Sequence, residues 1–264
     1  MNETAEPRIA IIIPACNEEA CIAPVLEELL ASVDRAKFVI AVGVNDSNDR
    51  TAEIARCYPV IVGETKARGY GHGCMAAIDA VTRRAPDVSA YVFFAADGAS
   101  DPADIPRLVA AHEAGAAMVL GARTKVRSNW RVMTFPHVIA NRALGFWCSL
   151  LTARWFTDLA PLRLIERRLF EAIAPREMTF GWTIEAQVAA AMRPVRICEV
   201  PARERCRIAG EQKVSGVTWR RTFVIGCQIF AAGWRTYVAV AQRIEHDAKS
   251  PEPALVAQTQ AVRS

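Results

Sequence analysis

From Arg8 to Ile13 the chain is apolar without alternation and is ended by Pro14, the pattern of a short strand buried on both faces. Beyond it, Ile22, Val25, Leu26, Leu29, Leu30 and Val33 fall at helical spacing, with Glu18 and Glu19 ahead of them and Pro24 placed in the first turn. That spacing predicts an amphipathic helix. The alternation continues, with strands predicted at 38–42, 60–62, 91–95 and 118–120 and helices at 51–57, 72–84 and 103–114. So regular a sequence of strand and helix predicts an α/β fold, a doubly wound, mostly parallel sheet with helices on both faces.

In such sheets ligands bind beyond the carboxyl ends of the strands, so the turns that follow the strands carry the chemistry. Three of these turns are rich in polar residues: Pro14 to Glu19, Asn45 to Asp49, and Asp97 to Asp101. Asn, Asp and Ser at such positions either cap the next helix or meet a ligand. For Glu19, Asp49 and Asp101 capping is at least as good a reading; Glu18 and Asp97 are the better ligand candidates. A fourth segment, Lys66 to Gly73, offers two cations and the amides of Gly69, Gly71 and Gly73 at a helix start. It suits a phosphate or a close-packed turn equally well.

Composition places the chain among globular proteins: 264 residues, 52% hydrophobic and 23% charged. Eight cysteines without a CxxC pair argue against a disulfide scaffold and a zinc ribbon. The N-terminal MNETAEPR does not read as a signal peptide. The net charge of +4 hides an asymmetry, since residues 1–121 sum to −7 and residues 122–264 to +11. A basic half points to phosphate, anionic lipid or nucleic acid, and an acidic half to a cation.

With these segments in this order, the chain resembles the family 2 glycosyltransferases of the GT-A fold, and within them the dolichyl- or polyprenyl-phosphate sugar synthases. The motifs are IIIPACNEE (11–19), VNDSNDRTAEIA (44–55), RGYGHGC (68–74), FFAADGASDPADIPRL (93–108), GAR (121–123), PHVIANRALG (136–145), TDLAPLRLI (157–165), FGWTIEAQ (180–187) and EVPARERCRIAGEQKVSG (199–216). The resemblance implies a nucleotide-sugar donor, UDP- or GDP-linked, held by Pro14, Asn17, Glu18, Asn45, Asp46, Gly71, Asp97 and Arg123. It implies Mg²⁺ or Mn²⁺ on Asp97, the second carboxylate of the family's DxD. The first DxD carboxylate is Ala95 here, the usual Gln is Ala99, and the usual aromatic after Pro-Ala is Cys16.

The same resemblance gives Arg205, Arg207, Gly210 and Lys213 to the family's R-x-R-x-x-G-x-S-K stretch, with Arg207 and Lys213 as phosphate contacts. Trp182, Glu185 and Arg205 fall on the acceptor side, where Trp182 walls a pocket or belongs to the core. A lipid-phosphate acceptor is already anionic and needs positioning more than a base. A hydroxyl acceptor needs one, for which Asp158 is the matching candidate and His137 and His72 are alternatives.

Residues 214–244 read as one or two amphipathic helices on a membrane surface, or as a helix packed on the sheet, with the longest apolar run too short to span a bilayer. The expected organisation is a flexible segment 1–7, a GT-A domain 8–213 divided near residue 121 into nucleotide and acceptor halves, the helices 214–244, and a disordered tail 245–264. The expected molecule is cytoplasmic, at the inner face of a membrane, with lipid phosphate rather than nucleic acid as partner. Ala95, Ala99 and Val44 motivate an alternative, a binding relative without turnover; a sugar nucleotidyltransferase ranks third.

Overall fold

The computed structural model describes residues 8–210 and 219–249. Within them β1 (Ile9–Ala15), β2 (Phe38–Asn45), β3 (Ile61–Thr65), β4 (Ala90–Phe93), β5 (Met118–Ala122), β6 (Arg163–Glu166) and β7 (Ile197–Pro201) form one sheet in the order β3-β2-β1-β4-β6-β5-β7. The helices are α1 (Glu19–Ser32), α2 (Thr51–Arg56), α3 (Tyr70–Arg84), α4 (Ile105–Glu113), α5 (Phe135–Thr152), α6 (Arg167–Ile173), α7 (Trp182–Ala191) and α8 (Trp219–Lys249).

Strand periodicity decides the layers. Ile9, Ile11 and Ile13 point to the face covered by Ile22, Leu26 and Leu29 of α1, whereas Ala10 and Ile12 point to the face covered by Cys74, Ala77 and Ile78 of α3. Both faces of β1 are therefore dry, as its unbroken apolar run predicts, and each of its isoleucines gains roughly 1.5–3 kcal/mol from burial. The helix over α1 begins at Glu19, so Pro24 lies in its second turn rather than its first.

The sheet is mostly parallel, but β6 runs antiparallel to both β4 and β5. The reason lies in the connection. After β5 the chain leaves the carboxyl edge, runs through α5, and returns to β6 at that same edge without crossing the sheet, which makes the pairing antiparallel. This detour sets α5 beside the site. Of the one or two C-terminal helices expected, the structure has one, α8, of 31 residues. Its stretch Phe223–His246 is long and apolar enough, by length and composition, to cross a membrane, which corrects the expectation of a shorter apolar run. The tail expected from 245 begins inside α8, which runs to Lys249; its remainder and the expected N-terminal segment 1–7 lie outside the described residues.

Packing of α3 on the sheet depends on backbone contact at Gly43. A Cβ there would sit 1.8 Å from the carbonyl oxygen of Gly73. Gly43→Ala must push α3 away from β2 and should lose at least about 1–3 kcal/mol in urea unfolding; an unchanged midpoint would contradict this close approach.

Candidate active site

The loops after β1 and β2 are fastened side by side by their own polar residues. Asn17 Oδ1 accepts from the Asn48 amide at 2.8 Å, and the Asn17 and Glu18 amides donate to Ser47 Oγ and Thr51 Oγ1 at 3.0 and 2.8 Å. Asn17 and Asp46 both take positive φ, 52° and 45°, which short polar side chains tolerate. Asp101 caps the turn that leads into α4, accepting from the Ala103 amide at 3.0 Å; Glu19 and Asp49 instead tie the starts of α1 and α2 to each other, Glu19 accepting from the Arg50 amide and Asp49 from the Glu19 and Thr51 amides at 3.0 Å each. Pro14, Asn45 and Asp46 are thus brought together at one edge, with Arg68 3.8 Å from the Asp46 carboxylate.

Beyond β4, Asp97 opens a turn at Gly98, whose φ of 78° and overlying Ile208 exclude a side chain. The segment after β7 pairs with this turn: Ser100 bridges Glu204, the Arg205 amide donates to Ala99 O at 2.8 Å, and the Ile208 amide donates to Asp97 O at 3.0 Å. That pairing delivers the Arg207 guanidinium to the strand ends. It contacts Asp97 Oδ2 at 3.2 Å and is ion-paired with Glu18 Oε2. Three candidates from loops distant in sequence therefore meet in one cluster.

A second, buried cluster lies beside it. Asp158 has no exposed surface; its Oδ2 accepts from the Arg123 amide at 2.8 Å, and its Oδ1 from the Arg123 guanidinium at 3.1 Å. Arg123 also reaches Glu204 Oε1 at 3.3 Å and Asn141 Oδ1, on α5, at 2.9 Å. Burial opposes the charge of Arg123, and Asp158 and Glu204 outweigh it, holding its pKa above the ordinary arginine range. Asp158 is thus placed to hold Arg123 and has no surface from which to take an acceptor's proton, which corrects its reading as a base. His137, in the first turn of α5, is held below the usual imidazole pKa by burial and then by the charge of Arg123.

Several candidates are spent on structure. The Gly71 amide donates to Met178 O at 3.0 Å, and a Cβ at Gly71 would lie 2.5 Å from the Trp182 ring, so the glycine run is a close-packed turn and not a phosphate cradle. Trp182 is core, edge-on to Phe93. Glu185 accepts from the amides of Arg176 and Glu177, fixing the loop that covers Gly71, while burial raises its pKa. Arg205 is pinned to Glu28 on α1 and to Ser100 O, away from the acceptor side. Lys213 lies outside the described residues.

Sequence reading missed Glu204, Asn129 and Asn141. Asn129 donates to Arg123 O and Ala202 O and accepts from the Glu204 amide, so it locks the two basic segments together. Glu204 sits among arginines in a run that reads as solvated charge, and Asn141 lies mid-helix; neither carries a local signal.

The donor set tests whether a divalent ion fits. Among the described residues no group of three His, Cys, Asp or Glu side chains could hold a metal. Asp97 offers one partly exposed carboxylate, which suits an ion such as Mg²⁺ that keeps water and leans on substrate phosphates. The charge balance agrees: Glu18, Asp46, Asp97, Asp158 and Glu204 outnumber Arg68, Arg123 and Arg207 by two. A further anionic group placed here would meet excess negative charge that a dication would offset.

Comparison with known proteins bears on this geometry. The fold is the GT-A fold: a glucosyl-3-phosphoglycerate synthase of Mycobacterium tuberculosis, solved with Mn²⁺, UDP and glucosyl-3-phosphoglycerate, superposes with a TM-score of 0.64 at 18% identity, covering 88% of this chain and 80% of that one. The chain belongs to glycosyl transferase family 2, whose model matches residues 10–193. Among its relatives, a dolichyl-phosphate hexose transferase of Haloferax volcanii is 30% identical over 81% of this chain and 90% of its own length. An uncharacterized glycosyltransferase of Mycobacterium tuberculosis is 29% identical over 79% of this chain and 90% of its own.

Burial of Glu204 gives a pH signature. Burial raises its pKa, Arg123 offsets part of this, and Asp158 and Asp97 add to the rise. The native state then holds a proton that the unfolded chain has lost, so this group's contribution to stability falls as pH rises from the ordinary glutamate value, about 4.3, through the raised native value. Urea unfolding across that window should find Glu204→Gln gaining on the wild type as pH rises. A difference that stays flat with pH would contradict the burial.

Proposed function

We propose that this glycosyltransferase moves one sugar, with inversion, from a UDP- or GDP-linked donor to a lipid-phosphate acceptor at a membrane surface. Mg²⁺ or Mn²⁺ on Asp97 assists. The observation that carries the reading is that every carboxylate gathered at the site is engaged by an arginine: Glu18 and Asp97 by Arg207, Asp158 and Glu204 by Arg123, Asp46 by Arg68. A hydroxyl acceptor wants a carboxylate near neutrality to take its proton, whereas a phosphate oxygen is nucleophilic as it stands. With these five carboxylates held by arginine, none is placed to act as that base, which suits the second.

In this mechanism Pro14, Asn17, Asn45 and Asp46 receive the base and ribose. Arg207, together with Lys213, meets the charge that builds on the leaving diphosphate, where a preorganised cation lowers the barrier. When bound, the divalent ion supplies Lewis-acid neutralisation of that diphosphate. Arg123, held rigid by Asp158, steers the acceptor phosphate from the α5 side. The named relative that transfers hexose to dolichyl phosphate supports the acceptor class, and neighbours solved with UDP and Mn²⁺ support the donor and ion. A hydroxyl acceptor with neutral His137 as base is the second reading, motivated by its lowered pKa beside Arg123.

Calorimetric titration with UDP- and GDP-sugars, in Mg²⁺, in Mn²⁺ and in EDTA, tests the donor side. One nucleotide should bind in a metal-dependent way, with the metal-dependent part lost in Asp97→Ala. Arg207→Ala should lower kcat about 10²–10³-fold. Binding that is equally tight in EDTA and in Asp97→Ala would remove the metal from the account.

A further inference from the structure

Helix α5 presents two unlike faces. The inner one packs on the site: Asn141 accepts from Arg123, and a Cβ at Gly145 would lie 2.7 Å from the Asp158 amide nitrogen. The outer one carries Phe135, Ile139, Arg142, Phe146 and Leu150, spaced i, i+4, i+7, i+11 and i+15, so they form one stripe along the helix. Its four apolar members are exposed by 69, 51, 52 and 61%. Trp155, 74% exposed, faces Ile139, Arg142 and Phe146 across an open groove of about 380 Å³. A contiguous apolar surface of this kind marks an interaction site.

Charge selects the occupant. Between Glu113 and Asp158 the chain has no acidic residue and carries six Lys or Arg, of which Arg123 is taken up by Asp158 and Glu204 and Lys125 by Glu199. A second copy docked about a two-fold axis would bring this basic segment against itself, with no carboxylate from the same segment to answer it. Aromatic and aliphatic side chains interleaved with arginine, without acid, instead match the headgroup boundary of an anionic bilayer. The surface also continues into α8: Trp147 of α5 stacks near Phe230 and Trp234, with ring centroids 5.7 and 6.5 Å away, and Phe223, Phe230 and Trp234 are exposed.

We propose that the outer face of α5, with Trp155, is a docking surface for anionic membrane lipid. Docking there sets the bilayer against one face of a helix whose other face holds Arg123 and Asp158. The inference rests on the membrane part of the function proposed above and extends it from the C-terminal helix to the acceptor half of the catalytic domain.

The test is flotation of the full chain with vesicles of equal parts phosphatidylcholine and phosphatidylglycerol, against phosphatidylcholine alone. Wild type should float with the anionic vesicles. Phe146→Ser combined with Trp155→Ser should weaken partitioning about tenfold per side chain, and Arg142→Gln about fivefold. Thermal unfolding, and titration with whichever nucleotide the wild type binds, report that the fold of the same variants is kept, and Arg142→Gln reads out the surface if the aromatic pair does not fold. If both α5 variants float like wild type while Phe223→Ser with Trp234→Ser on α8 does not, the α5 proposal is overturned and the membrane reading stands. If wild type floats with neither vesicle, both fall. If the α5 variants turn a dimer into a monomer with flotation unchanged, the occupant is a second copy and the proposal is overturned.

Discussion

The carboxylate of Asp158, sealed from water, needs a cation, and Arg123 is the cation it finds. From that pair the rest of the acceptor side is laid out. Arg123 ties α5 through Asn141 and the segment after β7 through Glu204. Glu204 in turn starts the backbone pairing with Ser100 that carries Arg207 to Asp97 and Glu18. A charge buried under α5 thus sets the position of a guanidinium at the far carboxyl edge, through a chain of contacts each of which is a hydrogen bond or an ion pair.

The same arrangement explains why departures from the family's motif are compatible with its chemistry. With Ala95 in place of a carboxylate, the strand-end cluster has fewer oxygen ligands, yet Arg207 already stands between Asp97 and Glu18 as a resident cation. In the proposed mechanism the remaining excess of negative charge is what a donor-bound dication would neutralise, so donor and ion are expected to arrive together. On the acceptor side, pairing of each carboxylate with arginine favours a nucleophile that brings its own negative charge. The exposed stripe of α5, one helix thickness from Arg123, is where such a nucleophile would come from if it is anchored in lipid.

Much of this was legible in the sequence where a local rule governs. The β1 run, the spacing of α1 and the polar turns identified the sheet, its carboxyl edge and the capping role of Asp101, because apolar periodicity and helix caps act within a few residues; the bonds of Glu19 and Asp49 join two loops about 30 residues apart and carry no such local signal. Asp97 and Arg207 were legible through resemblance, and the structure brings them together. What escaped depends on tertiary context. The antiparallel direction of β6 follows from the path of α5 and not from its four residues. Gly71 is a glycine because Trp182 lies over it, and Asp158 is inaccessible because Arg123 and Thr124 cover it. Glu204 looked like one more solvated charge in a basic run until the Ser100 bridge turned it inward.

The central claim is that the acceptor is a phosphate carried on a lipid, and one assay addresses it directly. Purified protein, Mg²⁺ and a sugar-labelled nucleotide donor are incubated with polyprenyl phosphate, and the label is followed into organic solvent. The account predicts label in the organic phase, joined to the lipid through phosphate with the anomeric configuration inverted. Label that stays in water with polyprenyl phosphate, and moves to a hydroxyl-bearing or small water-soluble acceptor when one is supplied, would contradict it.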